Sequence, residues 1–301
     1  MATFTHWLSA ARLRTLPLAF AGIMMGSFLA YYYGVFRLPV FVLALLTTLF
    51  LQVLSNLAND YGDSKSGVDS VEREGPKRAV QQGNISSNQM KKAMVLFTIL
   101  SLVSGVALLL VSVTVNLTFL VFLLLGIAAI AAAIKYTVGK NPYSYSGFGD
   151  LFVFLFFGLV SVPGVFFLHT QVLEPAVFLP AISCGLLAVG VLNVNNIRDI
   201  KSDTLTGKNS IPVRIGREKA IWYHGTLLLG ALISSVFFVV YEKPTWSDWL
   251  FLGPFFLIGY HWWLVKKRME VAQIDPLLKQ LALFTLLYVV LFGLGINFLS
   301  E

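Results

Sequence analysis

Long uncharged apolar stretches dominate this chain and decide what it can become. They run Thr15–Phe36, Leu38–Asn59, Ala93–Ile134, Leu151–Leu173, Pro175–Ile197, Ala220–Tyr241, Trp249–Val265 and Gln280–Ser300. About 20 apolar residues carry a helix across the hydrocarbon core of a bilayer. Backbone placed in lipid must satisfy its own polar groups, which for continuous apolar runs means helix. Ala93–Ile134 holds 42 residues, too many for one crossing. Asn116 near its middle predicts a tight turn between two helices. Trp249–Val265 is the shortest stretch, at 17 residues, and contains Gly253 and Pro254. The pattern predicts an all-α polytopic membrane protein with nine transmembrane helices around a central cavity, one domain over residues 1–301. Thr15–Phe36 is longer than a usual signal core and has no clear cleavage site after it, so an uncleaved first span is expected.

Composition agrees. Charged residues are 12% of the 301 and AVILMFWYC residues 57%, whereas a soluble domain carries about 25% charge. A water-soluble globule, a disordered chain and a coiled coil are excluded. The net charge of +7 is distributed in a telling way. With the N-terminus cytoplasmic, nine crossings put 20 of the 22 Lys and Arg on the cytoplasmic side and leave only Arg37 and Lys243 outside. Cytoplasmic connections favour Lys and Arg, so the expected orientation is N-in, C-out. The expected location is the cell inner (plasma) membrane, with the site on its cytoplasmic side and no nucleic-acid partner. The single cysteine, Cys184, lies in an apolar run and reads as a small core side chain.

Polar residues collect in two long cytoplasmic segments, about 62–92 and 198–219. The second span ends in Asn56, Asn59, Asp60 and Asp63, followed by Asp69. Asn56, Asn59/Asp60 and Asp63 have the i, i+3/i+4, i+7 spacing of one helix face. The sixth span ends in Asn193, Asn195, Asn196, Arg198, Asp199, Lys201 and Asp203, with Asp199 and Asp203 again one turn apart. The motifs at 56–69 and 193–203 align as a weak internal repeat, which predicts two related halves with their acidic helix ends around one cavity. Carboxylates suit Mg²⁺, which commonly takes one or two of them plus substrate phosphates. Basic residues accompany each cluster: Lys77 and Arg78 in the first segment, Arg198 and Lys201 in the second. Acids that hold a cation beside bases that hold an anion describe a diphosphate site. The bland alternatives are positive-inside bias for the bases and solvated loop charge for the acids.

A third cytoplasmic segment, Lys135–Asp150, contains Tyr136, Tyr143, Tyr145, Gly139, Gly147, Gly149 and Pro142. It predicts a structured cap whose tyrosines either meet an aromatic substrate or anchor the interface. His6, His169, His224 and His261 are scattered and read as structural. P-loop, zinc-protease and α/β-hydrolase motifs do not occur.

At this point the chain resembles the UbiA superfamily of membrane-embedded aromatic prenyltransferases. The likeness lies in Asn59-Asp60-x-x-Asp63 with Asp69, and in Asn196-x-x-Asp199-x-x-x-Asp203. It extends to Ala11-Arg12-Leu13-Arg14-Thr15-Leu16-Pro17, Gly75-Pro76-Lys77-Arg78, Tyr136-Thr137-x-Gly139, Gly207-Lys208 and Val213-Arg214-Ile215-Gly216. Within the superfamily these details resemble the menaquinone-pathway branch. Two positions depart from its pattern: Lys140 stands where Pro is usual, and Asp150 where Glu is commoner.

The resemblance implies transfer of a polyprenyl group from polyprenyl diphosphate to an aromatic acceptor, 1,4-dihydroxy-2-naphthoate, with decarboxylation to a demethylmenaquinol. Mg²⁺ is the expected cofactor and the lipid bilayer the medium. Asp60, Asp63, Asp69, Asp199 and Asp203 are expected around the metal, with Asn59, Asn195 and Asn196 ordering its ligands. Lys77, Arg78, Arg198 and Lys201 are expected at diphosphate oxygens, followed by Lys135 and Arg14. Tyr143 and Tyr145 are expected on the acceptor side. Other acceptors (4-hydroxybenzoate, homogentisate, haem or a sugar phosphate) stay open. A secondary transporter is a remote alternative, since transporters also show repeats and buried polar sites.

Overall fold

A computed structural model describes residues 3–66, 79–242 and 245–298. Among them the fold is all helical, in thirteen α-helices. A short entry helix, α1 (Phe4–Ala11), precedes α2 (Leu16–Tyr32), α3 (Leu38–Ser66), α4 (Ser87–Ser112) and α5 (Leu117–Lys135). Next come α6 (Gly149–Phe154), a π-helical stretch at Leu155–Val160 and α7 (Ser161–Thr170), which together form one rod. The second half holds α8 (Phe178–Arg198), the small α9 (Ile200–Leu205) and α10 (Ile211–Ile215), then α11 (Arg217–Tyr241), α12 (Leu252–Lys267) and α13 (Val271–Phe298).

The 42-residue run divides where Asn116 stands. The Asn116 side chain accepts hydrogen bonds from the amides of Thr118 and Phe119, at 2.9 and 3.3 Å, and so caps α5. Such a cap satisfies amides that the first helical turn leaves open. Eight helical segments are long and apolar enough to cross a membrane among the described residues, so the chain is a multi-pass membrane protein. The expected ninth, Trp249–Val265, is a 3₁₀ turn at Ser247–Phe251 running into the 16 residues of α12. Its α-helical part alone is too short for a full crossing, so nine crossings stay an expectation.

Burial separates the helices by role. One core joins Met25 and Leu29 of α2, Phe166 of α7, Leu187 of α8, Phe238 of α11 and Tyr288 and Phe292 of α13; Cys184 lies within it. By contrast α5 has no buried residue although it is strongly apolar. A helix apolar all round that protein covers on one side only turns its open side to lipid. Helix α2 meets α7 through Gly22 and Gly26, a small-x-x-x-small pair of the kind that lets membrane helices touch. A Cβ on Gly26 would lie 2.5 Å from the Val162 carbonyl oxygen.

Candidate active site

The first acidic motif lies on unbroken helix, because α3 runs on through Ser66, beyond the end of its apolar stretch. Its polar face does not serve one purpose throughout. Asn56 donates to the Ala11 carbonyl at 2.9 Å and to Thr15 Oγ1 at 3.1 Å, so it ties down the α1–α2 junction. One turn on, Asp60 is 1% exposed and accepts the Ala79 amide at 3.2 Å. Asp63 is also buried and accepts the Tyr145 hydroxyl at 2.5 Å. Asn59, just before Asp60, accepts the Thr137 hydroxyl at its Oδ1 at 3.2 Å.

The second motif turns a corner. Helix α8 stops at Arg198, and Asp199 stands between it and α9. The Asp203 amide still donates to the Asp199 carbonyl at 2.8 Å, so the two acids keep one-turn spacing across the break. Both are buried. Lys208 Nζ sits 3.0 Å from Asp203. Arg198 grips the Asp199 carboxylate with Nε at 2.8 Å and Nη2 at 2.7 Å.

The α5–α6 segment joins the motifs. Tyr145 touches the first with its hydroxyl and the second segment with its carbonyl, which accepts the Asn209 amide at 2.9 Å. Arg214 adds a bond to the Ser146 carbonyl at 2.7 Å. Beneath this cap, Gly62 lets α3 approach so closely that a Cβ there would stand 2.5 Å from the Thr137 carbonyl oxygen. The expected cap is therefore present and built on both halves.

The electrostatics follow from that convergence. Burial pushes the Asp203 carboxyl above the usual carboxylate range; Lys208 opposes this, and the charges of Asp199 and Asp63 add to it. The Tyr136 phenol is pushed up by burial, then by Tyr143, Asp150, Asp63 and Asp203. Carboxylates from both motifs thus act on the same groups. Among the described residues no three His, Cys, Asp or Glu side chains form a closed metal cage. The acids instead form an open arrangement of two pairs, the donor set that suits a hard cation shared with phosphate oxygens. Mutual repulsion between buried carboxylates is the strain a divalent cation relieves. The residues fit Mg²⁺ on that ground.

The other expected residues are placed unequally. Lys135 and Lys201 are exposed near the site, and Asn195 and Asn196 lie on the last turn of α8. Tyr143 donates its hydroxyl to the Ala132 carbonyl at 2.9 Å and stacks on Phe152 at 4.1 Å, an arrangement that braces the cap. Arg14 pairs with Asp275 at 3.1 Å. Arg198 is engaged on every side, with Asp199, with Asn195 Oδ1 at 2.8 Å and with Asp275. Asp69, Lys77 and Arg78 lie outside the described residues.

Sequence reasoning missed Lys208 as a partner of Asp203. It lies five residues beyond that acid, past the end of α9, where helical spacing gives no signal. It also missed Asp275, which no spacing ties to either motif. Asp150, where the sequence departs from the family pattern, accepts the Tyr223 hydroxyl at 2.9 Å. Two histidines hold structural contacts: His169 accepts the Arg37 amide at 3.1 Å and contacts Ser27, and His261 meets Gln280.

Comparison with known proteins places these features in context. The model of the UbiA prenyltransferase family matches residues 19–283. The chain is 45% identical over 295 residues to the 1,4-dihydroxy-2-naphthoate octaprenyltransferase of Escherichia coli (strain K12), covering 98% of this chain and 96% of that protein. Its fold is similar to the apo structure of a UbiA homologue from Aeropyrum pernix K1, with a TM-score of 0.66, 16% identity and 98% of each chain covered. It is similar also to a UbiA homologue from Archaeoglobus fulgidus bound to GPP and Mg²⁺, with a TM-score of 0.62, 16% identity and 95% and 99% of the two chains covered.

Proposed function

Because the chain belongs to the UbiA prenyltransferase family, we propose that it transfers a polyprenyl group from polyprenyl diphosphate to 1,4-dihydroxy-2-naphthoate. The observation that carries this reading is the meeting of two acidic helix ends under one cap, Asp60 and Asp63 opposite Asp199 and Asp203, with Tyr145 touching both segments. The acceptor is supported by the likeness to the Escherichia coli naphthoate prenyltransferase along nearly the whole chain.

The allylic C–O bond breaks and its electron pair leaves with the diphosphate. The ring carbon bearing the carboxylate attacks the allylic carbon, and the new C–C bond replaces the bond to carbon dioxide. The departing carboxyl returns its electron pair to the ring, so the product is a demethylmenaquinol and no ring proton need be removed. Bound Mg²⁺ would supply positive charge against the developing diphosphate. Asp60, Asp63, Asp199 and Asp203 would hold it, together with Asp69. Lys201 and Lys135, with Lys77 and Arg78, are the cations that would meet diphosphate oxygens. Tyr145 orients Asp63, and Arg198 orients Asp199. The cap keeps water from the allylic cation. The proposed setting is the plasma membrane, with the site open to cytoplasmic substrates.

The test is prenyl transfer by purified protein in liposomes, with the naphthoate and 4-hydroxybenzoate offered in parallel, with and without Mg²⁺. A Mg²⁺-dependent prenylated naphthoquinol with released carbon dioxide is expected. Prenylation of 4-hydroxybenzoate alone would keep the chemistry and overturn the acceptor.

A further inference from the structure

The second acidic motif is held by an ionic chain that starts far along the sequence. Arg198 closes α8 with its side chain 2% exposed, so each of its N–H groups needs a partner inside the protein. Nε and Nη2 bind the two oxygens of Asp199, Nη2 also reaches Asn195, and Nη1 binds Oδ1 of Asp275. Asp275 stands in the second turn of α13. Its other oxygen takes Arg14, from the turn between α1 and α2, at 3.1 Å. The last helix therefore meets the guanidinium that orients Asp199, and the entry segment is tied to it through Asp275.

From this geometry we infer that Asp275 is a positioning residue for the metal-binding half-site at Asp199. The inference rests on the reading of Asp199 as a cation ligand. A fork gripping one carboxylate with two bonds also neutralises it, and a neutralised carboxylate is a poor ligand. Asp275 draws on the same guanidinium from its far side. The charge of Arg198 is then shared between two acids, and Asp199 keeps affinity for a cation. The same contact fixes the guanidinium plane, which fixes the direction in which Asp199 presents its oxygens. Partners of metal ligands act in this way without touching the metal. A purely structural ion pair would instead affect stability and leave cation affinity alone.

The experiment titrates Mn²⁺, followed by its EPR signal, into purified full-length protein in detergent. Wild type is compared with Asp275→Asn, which removes the charge at equal size, and Asp275→Glu, which retains it. Melting is recorded on the same samples without metal. Asp275→Asn is expected to bind Mn²⁺ about tenfold more weakly, the lower end of the range for such partners, with melting near that of wild type. Asp275→Glu is expected to recover most of the affinity. Wild-type affinity in Asp275→Asn would overturn the inference. So would an Asp275→Asn chain that cannot be isolated folded beside an Asp275→Glu chain of normal affinity, since that makes the carboxylate a structural anchor. Failure of wild type itself to bind Mn²⁺ would overturn the metal reading of Asp199 and the inference with it.

Discussion

Tyr145 bonds to both halves of the site, and its two contacts can be separated. Its carbonyl anchors the cap to Asn209 and is untouched by side-chain changes, whereas its hydroxyl donates to Asp63. Tyr145→Phe is therefore expected to leave the fold intact and to slow turnover about ten- to a hundredfold, since a hydrogen bond to a charged group contributes roughly 1.5–3 kcal/mol. Steady-state prenyl transfer beside a melting curve measures both, and unchanged turnover would remove Tyr145 from the machinery. The acids themselves are expected to matter more. Asp63→Asn and Asp199→Asn keep size and remove charge, and each is expected to lower turnover by about a hundredfold or more. Near-normal activity in either would remove that residue from the metal site. The acids were legible because helical periodicity places same-face residues together whatever the tertiary fold. The roles of Tyr145 and Asp275 were not, because a loop hydroxyl and a distant helix start find their partners only through packing.

Whole elements show the same division. The turn at Asn116 was legible because capping is local: one side chain, two amides and no partner from elsewhere. Asn116→Ala is expected to cost about 1 kcal/mol of stability, seen as earlier melting with turnover unchanged. The seam between α3 and the cap was not legible, because a glycine in a helix does not announce what lies against it. At Gly62 the neighbour is the Thr137 backbone, which cannot rotate away as a side chain can. Gly62→Ala is expected to cost about 1–3 kcal/mol by overpacking and to reduce turnover by pushing the cap off the first motif. Gly126 on α5 has nothing within 4 Å of an added Cβ. Gly126→Ala is thus the matched control, expected within about 0.5 kcal/mol of wild type. Equal melting of the two variants would show that the seam does not bear on the cap. The corner at Asp199 also escaped the spacing argument. The i+4 distance survives there through a single backbone bond although α8 has ended.

For the whole molecule the open quantity is the number of crossings, which sets the side on which the chain ends. Apolar length identifies eight spans directly. The ninth depends on joining two kinds of helix. The 16 residues of α12 rise about 24 Å at 1.5 Å each, short of the roughly 30 Å hydrocarbon core. The five 3₁₀ residues before it, Ser247–Phe251, add about 10 Å at 2.0 Å each. Together they are long enough to reach across. The interfacial side chains agree: Lys266 lies over Trp222 and Trp262, and Lys267 over Trp263, at the far end of α12. Aromatic and basic residues gather at that depth when a helix emerges on the cytoplasmic side. Reporter fusions after Gly207, Glu242, Met269 and Phe298 decide the matter. With nine crossings and the N-terminus inside, a fluorescent reporter lights at Gly207 and Met269, and alkaline phosphatase is active at Glu242 and Phe298. If α12 does not cross, the last two positions exchange: phosphatase becomes active at Met269 and the reporter lights at Phe298. That result would place Lys266, Lys267 and Arg268 outside and break the charge asymmetry from which the orientation was argued.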